Sequence, residues 1–142
     1  MQWFLSELIE EYQVLHKNQD TYSYSAAAYV NYAKEFLAEN YNRKVKVNNL
    51  AERIGINRSY LAKSFKKMIG CSPQQFLVNL RMEKAVTMLK NTEFPINQIA
   101  AEVGYENPLT FSKIFKQRYG ISPKNYRGSA SSFPTVQNDC VE

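Results

Sequence analysis

Apolar side chains recur every three or four residues along most of this chain, which is the spacing of amphipathic helices rather than of strands. The pattern predicts helices over residues 1–17 and 26–41 and in several segments between residues 48 and 120. It is interrupted at residues 18–25 (NQDTYSYS), which are predicted to form a linker, and it is missing from the Ser-rich tail 128–142. The sequence therefore predicts an all-α fold.

Residues 50–76 resemble residues 99–126, so the chain contains an internal repeat. The offset is 49 up to the turn inside each copy and 50 after it, because the second copy has one additional residue there. The aligned pairs include Gly55 with Gly104, Phe65 with Phe115, Gly70 with Gly120, and Ser72-Pro73 with Ser122-Pro123. Glycine and Ser-Pro pairs at matching positions indicate that both copies have the same fold.

Each copy has the pattern of a helix, a short turn and a second helix. In the first copy, Asn48 is predicted to cap the first helix, Gly55 to end it, Asn57 to cap the second and Gly70 to end that. The inward stripe consists of Leu50, Ala51, Ile54, Leu61, Phe65, Met68 and Ile69. This arrangement is the helix-turn-helix unit of many DNA-binding proteins.

The second copy follows the same plan. Pro95 is predicted at the first helical position, Gly104 ends that helix, Asn107 caps the next helix, Pro108 begins it and Gly120 ends it. The inward stripe consists of Ile96, Ile99, Ala100, Val103, Phe111, Ile114, Phe115 and Tyr119. Aromatic residues at such inward positions are expected to be core residues rather than stacking platforms for single-stranded nucleic acid.

A long helix is predicted between the copies. Ser72-Pro73-Gln74-Gln75 has the pattern of a capping box with proline at the first helical position, and the helix is expected to run to about Lys90. Its predicted apolar side consists of Phe76, Leu77, Leu80, Ala85, Val86 and Leu89. Eighteen helical residues span roughly 27 Å, which is comparable with one turn of duplex DNA at roughly 34 Å.

Positive charge is concentrated in the segment that contains the repeat. Residues 25–127 hold 17 Lys and Arg against 7 Asp and Glu, a balance of +10, whereas the whole chain carries +5. Such a balance favours a polyanionic partner, either nucleic acid or an anionic membrane. No apolar run is long enough to span a membrane, and Glu7, Glu10 and Glu11 lie where a signal peptide would be cationic and then apolar. The chain is therefore expected to be cytoplasmic.

Residue patterns for catalysis or metal binding are not found. Cys71, Cys140 and His16 do not have the spacing of a zinc site, and neither cysteine has a partner in the sequence that would activate it as a nucleophile. The chain also has no glycine-rich phosphate loop and no paired carboxylates. We therefore expect a protein without cofactor, metal or enzymatic activity. The alternative of an enzyme, such as a DNA-repair transferase, would require a nucleophilic cysteine with an activating partner.

Taken together, the spaced residues resemble the AraC/XylS family of bacterial transcription regulators over about residues 26–127. The resemblance is carried by Ile96-x-x-Ile99-Ala100-x-x-Val103-Gly104-Tyr105, by Phe111-x-x-x-Phe115-Lys116-x-x-Tyr119-Gly120-x-Ser122-Pro123-x-x-Tyr126-Arg127, and by Arg81-Met82-x-x-Ala85-x-x-x-Leu89. It implies seven helices in two helix-turn-helix subdomains joined by a long helix. It also implies promoter activation, together with an upstream domain that binds a small-molecule effector and forms a homodimer.

The expected organisation has three parts. Residues 1–24 form a helix and linker that would belong to the upstream domain, residues 25–127 form the DNA-binding domain, and residues 128–142 form a flexible tail. Within the DNA-binding domain, the first unit covers about 48–70, the joining helix 73–90 and the second unit about 95–120.

The candidate DNA-binding residues lie on the outward faces of two recognition helices, 57–69 and 107–119. They are Arg58, Ser59, Ala62, Lys63 and Lys66 in the first, and Leu109, Thr110, Lys113, Lys116 and Gln117 in the second. The resemblance places base contacts at Ser59, Ala62, Lys63, Pro108, Leu109, Thr110 and Lys113. Asn57, Asn107 and the helix N-termini are better placed for phosphate.

Two alternatives remain open at this point. Arg58 could form a surface ion pair with Glu52 instead of contacting DNA. The second unit could contact RNA polymerase rather than DNA, because Pro108 and Leu109 replace the polar residues that are common at these positions.

Overall fold

The computed structural model describes residues 19–129, with side chains from residue 26 onward, and this part of the chain contains seven α-helices and no strand. The helices are α1 (Gln19–Asn40), α2 (Val47–Ile54), α3 (Arg58–Ile69), α4 (Pro73–Asn91), α5 (Ile96–Glu102), α6 (Pro108–Tyr119) and α7 (Pro123–Gly128). The predicted all-α fold with its two helix-turn-helix pairs is confirmed. The predictions for residues 1–17 and for the tail beyond residue 129 lie outside the described residues.

The chain folds as two compact units. Of the described residues, unit 1 comprises 19–39 and 45–75, and unit 2 comprises 40–44 and 76–129. Unit 1 thus contains α2 and α3, the first helix-turn-helix pair, and unit 2 contains α5 and α6, the second pair. The short segment 40–44 between α1 and α2 belongs to unit 2.

The core of unit 1 is formed by one face each of α1, α2 and α3. Its buried side chains are Tyr29, Val30, Ala33 and Leu37 from α1, Leu50, Ala51 and Ile54 from α2, and Leu61 and Phe65 from α3. The ring of Tyr60 meets that of Tyr29 edge-on with centroids 6.4 Å apart, and the Arg53 guanidinium lies 5.0 Å from the centre of the Phe36 ring. Met68, predicted to point inward, is 43% exposed, whereas the next residue, Ile69, is half-buried.

The core of unit 2 has the corresponding faces of α5 and α6 packed on α4. Its buried residues are Met82, Ala85, Leu89, Ile99, Ala100, Val103, Phe111, Phe115 and Tyr126. The Phe115 ring is central to an aromatic group, with ring centroids 5.9 Å from Phe111, 4.5 Å from Tyr119 and 5.4 Å from Tyr126. The predicted inward stripe of this copy is confirmed, and the core also contains the fully buried Met82 of α4, which was not among the predicted apolar positions of that helix.

Side-chain caps begin three of the helices as predicted. Asn57 and Asn107 accept hydrogen bonds from backbone amides two residues ahead, and the Ser72 hydroxyl accepts one from the Gln75 amide at 3.1 Å. Gly55, Gly70 and Gly120 follow the ends of α2, α3 and α6 with φ of 82°, 97° and 81°. The cap residues and glycines in the local sequence were therefore sufficient to predict these helix ends.

Three helix starts differ from the prediction. Helix α2 begins at Val47, with Lys46 as N-cap, because the Asn49 amide already donates to the Lys46 carbonyl at 2.9 Å; Asn48 is inside the helix. Pro95 is the N-cap of α5 rather than its first residue, since its ψ of 151° is extended. Residues 19–25 are helical instead of forming a linker, as no glycine or proline there stops α1.

Arg127 caps the end of α4. Its side-chain nitrogens donate to the carbonyls of Leu89 and Thr92, each at 3.4 Å, and the Thr92 hydroxyl donates to the Met88 carbonyl at 2.6 Å. A cation at a helix C-terminus satisfies carbonyls that have no intrahelical partner and interacts favourably with the helix dipole. The family motif residue Arg127 therefore stabilises unit 2 from within.

Candidate nucleic-acid interface

The first recognition helix presents a polar face that projects from unit 1. Asn57 Oδ1 accepts a hydrogen bond from the Ser59 amide at 2.8 Å, so α3 begins with its first turn fixed. Ser59, Lys63 and Lys66 follow one another at spacings of four and three and are all exposed, as is Arg58, and Ala62 is half-buried between them. Ser59, Ala62, Lys63 and Lys66 thus share one face, away from the buried Leu61 and Phe65. Arg58, seven residues before Phe65, lies nearer the buried side and is exposed at the start of the helix.

The second recognition helix repeats this arrangement in unit 2. Asn107 Oδ1 accepts from the Leu109 amide at 2.9 Å, and Pro108 occupies the first helical position. Leu109, Thr110, Lys113, Lys116 and Gln117 are exposed, Pro108 is half-buried, and Phe111 and Phe115 on the other face are buried. The predicted residues of α6 are therefore also brought together on one face.

Leu109 differs from the rest of this face. Its side chain is 78% exposed, the highest value among the exposed large apolar residues of the described chain. An apolar side chain in the first turn of a recognition helix suits a thymine methyl group, or the apolar surface of a protein partner. Its exposure means that Leu109 is not needed for the core of unit 2.

Arg58 makes no ion pair with Glu52 in the described part of the chain. The alternative of a surface ion pair is therefore not realised, and the guanidinium of Arg58 is exposed beside Ser59 at the start of α3.

Several of the cations counted in the sequence are bound within unit 2. Arg81 donates to two backbone carbonyls, Arg118 donates to the side-chain oxygen of the buried Asn79, and Arg127 caps α4. All three arginines are half-buried. A charge count from the sequence therefore overstates the number of cations that can meet phosphate.

The turn before the second recognition helix carries an ion pair that sequence reasoning missed. Lys44 Nζ lies 2.8 Å from Glu106 Oε1, and both side chains are exposed. The hydrogen bond to Glu106 and its negative charge raise the pKa of Lys44, so the lysine is cationic at neutral pH. No sequence pattern joins residues that are so far apart along the chain.

Two tyrosines at the edge of the unit 2 core have altered titration. Burial raises the pKa of Tyr105, an effect opposed by Arg81, whose guanidinium carbon is 5.1 Å from the centre of the Tyr105 ring. Burial likewise raises the pKa of Tyr119, opposed by Arg118. Both phenols are therefore neutral at physiological pH and serve as packing residues.

In residues 26–129 no group of His, Cys, Asp and Glu side chains is arranged to hold a metal ion. No helix of the described chain is long and apolar enough to cross a membrane.

Two exposed polar faces on paired helices define the class of protein: a helix-turn-helix DNA-binding module. A helix-turn-helix domain family matches residues 50–129, more than half of the chain. The chain therefore belongs to the AraC-type helix-turn-helix family of DNA-binding transcription regulators, which confirms the resemblance seen in the sequence.

Named relatives agree with this assignment. The chain is 40% identical over 98 residues to the lactose operon transcription activator of Staphylococcus xylosus, covering 69% of this chain and 35% of that protein. It is 34% identical over 123 residues to the Msm operon regulatory protein of Streptococcus mutans, covering 87% of this chain and 44% of that protein. The chain thus spans less than half the length of these relatives.

A solved structure shows the same fold. The C-terminal domain of AraT, a response regulator from Geobacillus stearothermophilus, is 31% identical, with a TM-score of 0.69, and the match covers 78% of this chain and 93% of that one.

Proposed function

We propose that this protein binds double-stranded DNA with sequence preference and activates transcription, with α3 and α6 lying in adjacent segments of the major groove. The observation that supports this most strongly is the repeat of one design. In both units an Asn-capped helix presents lysine side chains at the same outward positions, Lys63 and Lys66 in α3 and Lys113 and Lys116 in α6. An α-helix fits the major groove, where each base pair has a distinct pattern of donors and acceptors.

Base contacts are assigned to the exposed first two turns of each recognition helix. Lys63 and Lys113 donate to guanine O6 and N7, whereas Leu109 and the methyl group of Thr110 contact thymine methyl groups. Ser59, Ala62 and Pro108 complete the base-contacting set of the two helices. An exposed side chain without a protein partner is available for such contacts, and Lys63 and Lys113 are both exposed.

Phosphate contacts are assigned to the helix starts and to the outer lysines. The cap uses the Oδ1 atoms of Asn57 and Asn107, which leaves their amide nitrogens to donate to a phosphate oxygen. The backbone amides of the first turns and the helix dipole favour an anion at the same place. The contact continues along the sugar-phosphate backbone of the DNA through Arg58, Lys66, Lys116 and Gln117.

Activation is proposed because the relative from Staphylococcus xylosus is named a transcription activator. A small-molecule effector and a homodimer contact belong to this proposal only as what the family resemblance implies, because the chain covers 35% of the length of that relative.

One alternative function for unit 2 is supported by a specific observation. Leu109 is 78% exposed in the first turn of α6, which would suit a contact with RNA polymerase. Lys113→Glu separates the two functions, because a charge reversal in the major groove weakens DNA binding strongly. Unchanged DNA affinity with lost activation would favour the polymerase contact.

The proposal is tested by selecting sites for the whole chain from a random duplex library at near-physiological salt. Two short stretches of enriched bases, hereafter blocks, are expected in the selected duplexes, one for each recognition helix. A single block would mean that unit 2 does not contact bases. Lys63→Ala should weaken the selected site by about 1–3 kcal/mol and relax the base preference at one position.

Matched variants separate base contacts from phosphate contacts. Lys66→Ala should weaken binding to all DNA sequences alike, and it should lower the slope of the logarithm of the binding constant against the logarithm of the salt concentration by about one unit. Lys34→Ala removes the same charge from the exposed side of α1 and serves as the control. If Lys63→Ala and Lys34→Ala have the same small effect on every sequence, the base contact assigned to Lys63 is wrong.

A further inference from the structure

A segment distant in sequence lies against the turn of the second helix-turn-helix pair. Residues 41–44, hereafter the strap, and residues 103–107, hereafter the turn, both belong to unit 2. The contact is so close that a Cβ atom added at Gly104 would lie 2.7 Å from the carbonyl oxygen of Tyr41. At the other end of the strap, Lys44 forms its ion pair with Glu106.

Arg81 holds the strap and the turn together. Its Nε donates to the Tyr41 carbonyl at 2.7 Å, and a terminal nitrogen donates to the Arg43 carbonyl at 3.0 Å. The same guanidinium lies 5.1 Å from the centre of the Tyr105 ring, and its carbon would be 3.1 Å from a Cβ at Gly104. One side chain from the middle of α4 therefore contacts both segments.

The chemistry of this contact requires arginine. Two carbonyls are bound by two nitrogens of one planar group whose carbon also lies 5.1 Å from the centre of an aromatic ring, and the single ammonium of lysine cannot reproduce this arrangement. Because these donors are used inside unit 2, Arg81 is not part of the charge that meets phosphate.

The turn leads directly into the base-contacting end of α6. Glu106 precedes the N-cap Asn107, and Pro108, Leu109 and Thr110 follow. The buried Phe111 and Phe115 anchor α6 from its fourth residue onward, whereas Leu109 and Thr110 are exposed and follow directly on the turn and the half-buried Pro108. Contacts to base edges tolerate displacements of only about 0.5 Å.

We propose that Arg81 is a positioning residue for DNA recognition by the second unit: by clamping the strap to the turn, it sets the direction of the first turn of α6 without touching DNA. The Lys44–Glu106 pair has a supporting role, because it neutralises a carboxylate beside the N-cap where a phosphate would approach. This inference rests on the proposed function of α6.

The test compares the discrimination between duplexes instead of affinity alone. Binding of the whole chain is measured on the selected site and on two derivatives, one scrambled in the block assigned to α3 and one in the block assigned to α6. Arg81→Met removes the guanidinium and keeps an apolar stem, and Lys90→Met is the control, because Lys90 is an exposed lysine of the same helix.

For the wild type and for Lys90→Met we expect roughly tenfold or greater discrimination at each block. For Arg81→Met we expect discrimination at the α6 block to fall to about one, that at the α3 block to persist, and the salt slope to stay unchanged because no phosphate contact is lost. Arg81→Lys should recover little of the α6 discrimination.

Each other outcome has a defined meaning. An equal loss of affinity on all three duplexes would show that Arg81 only stabilises the fold, and a salt slope lowered by about one unit with intact discrimination would show a direct phosphate contact; either result overturns the inference. A wild type without discrimination at the α6 block would refute base recognition by α6, and the inference with it.

A second variant keeps the test available if Arg81→Met does not fold. Lys44→Gln loosens the exposed end of the strap without changing the core, and it should reduce the α6 discrimination by a smaller factor than Arg81→Met. Adding Glu106→Gln removes the unpaired carboxylate, so it should restore the affinity lost by Lys44→Gln but not the α6 discrimination, because the strap is still loose. Failure to restore the affinity would mean that Lys44 contacts DNA directly, which contradicts its assigned role.

Discussion

The close contact at Gly104 leads to a quantitative prediction about stability. Gly104 has a φ of +98°, in the left-handed region, and an added Cβ would lie 2.7 Å from the Tyr41 carbonyl oxygen. Gly120 has a φ of +81°, and an added Cβ there would meet nothing within 4 Å. Both glycines belong to unit 2, so Gly104→Ala and Gly120→Ala differ chiefly in the steric contact.

The conformational cost is common to the two variants. An alanine in the left-handed region costs roughly 1–2 kcal/mol. In Gly104→Ala the Tyr41 carbonyl must also move by several tenths of an ångström, because real Cβ atoms essentially never approach a neighbour closer than 3.0 Å. That carbonyl accepts the 2.7 Å hydrogen bond from Arg81, and a bond to a charged donor contributes about 1.5–3 kcal/mol. We therefore expect the free energy of unfolding to fall by about 3–5 kcal/mol in Gly104→Ala and by about 1–2 kcal/mol in Gly120→Ala.

Urea unfolding of the whole chain, followed by far-ultraviolet circular dichroism, measures both values. A difference of about 2 kcal/mol between the variants corresponds to roughly 8–16 °C in Tm for a unit of this size. In an Arg81→Met background the additional cost of Gly104→Ala should become smaller, since the carbonyl is no longer held in place. Equal losses for Gly104→Ala and Gly120→Ala would refute the reasoning, as would an unchanged cost in the Arg81→Met background.

Three further predictions concern unit 2. Asn107→Ala should lower the free energy of unfolding by about 1 kcal/mol through loss of the helix cap, measured by urea unfolding; no change would contradict the cap. Phe115→Ala should cost about 3–5 kcal/mol in the same assay, because Phe115 is fully buried, and a loss below 1 kcal/mol would contradict its place in the core. Burial raises the pKa of Tyr105 and Tyr119 above the usual 10.0, so their contribution to stability is complete below that pH and is lost as the pH rises through the folded-state values. Unfolding midpoints between about pH 9 and 11 should fall less steeply for Tyr119→Phe than for the wild type, and parallel curves would contradict this.

The helix-turn-helix pairs could be predicted from local signals. Asn57, Asn107 and Ser72 each cap their helix through a backbone amide two or three residues ahead, so the residues that decide these helix starts are neighbours in sequence. The polar faces of α3 and α6 follow from helical spacing for the same reason. The internal repeat strengthened the prediction of two helix-turn-helix pairs, because the same cap and glycine signals occur in both copies.

Where a local signal competed with other constraints, the prediction was wrong by a few residues. Asn48 and Pro95 are both reasonable residues for a helix start, but backbone geometry moved the start of α2 by two positions and that of α5 by one. Met68 continues the apolar stripe of α3, yet it is 43% exposed, and how far a packed core reaches along a helix is decided by the fold.

The sequence by itself determined the class of fold, the two recognition helices and the residues on their outer faces, since helical periodicity and end signals act within a few residues. Only the tertiary structure decided how the arginines are used. Arg81, Tyr41 and Glu106 meet at one turn although they are distant in the chain, and nothing in their local sequence distinguishes a cation that holds the fold from one that faces solvent. The sequence gives the number of charged residues, but the groups that each of them contacts depend on the three-dimensional fold.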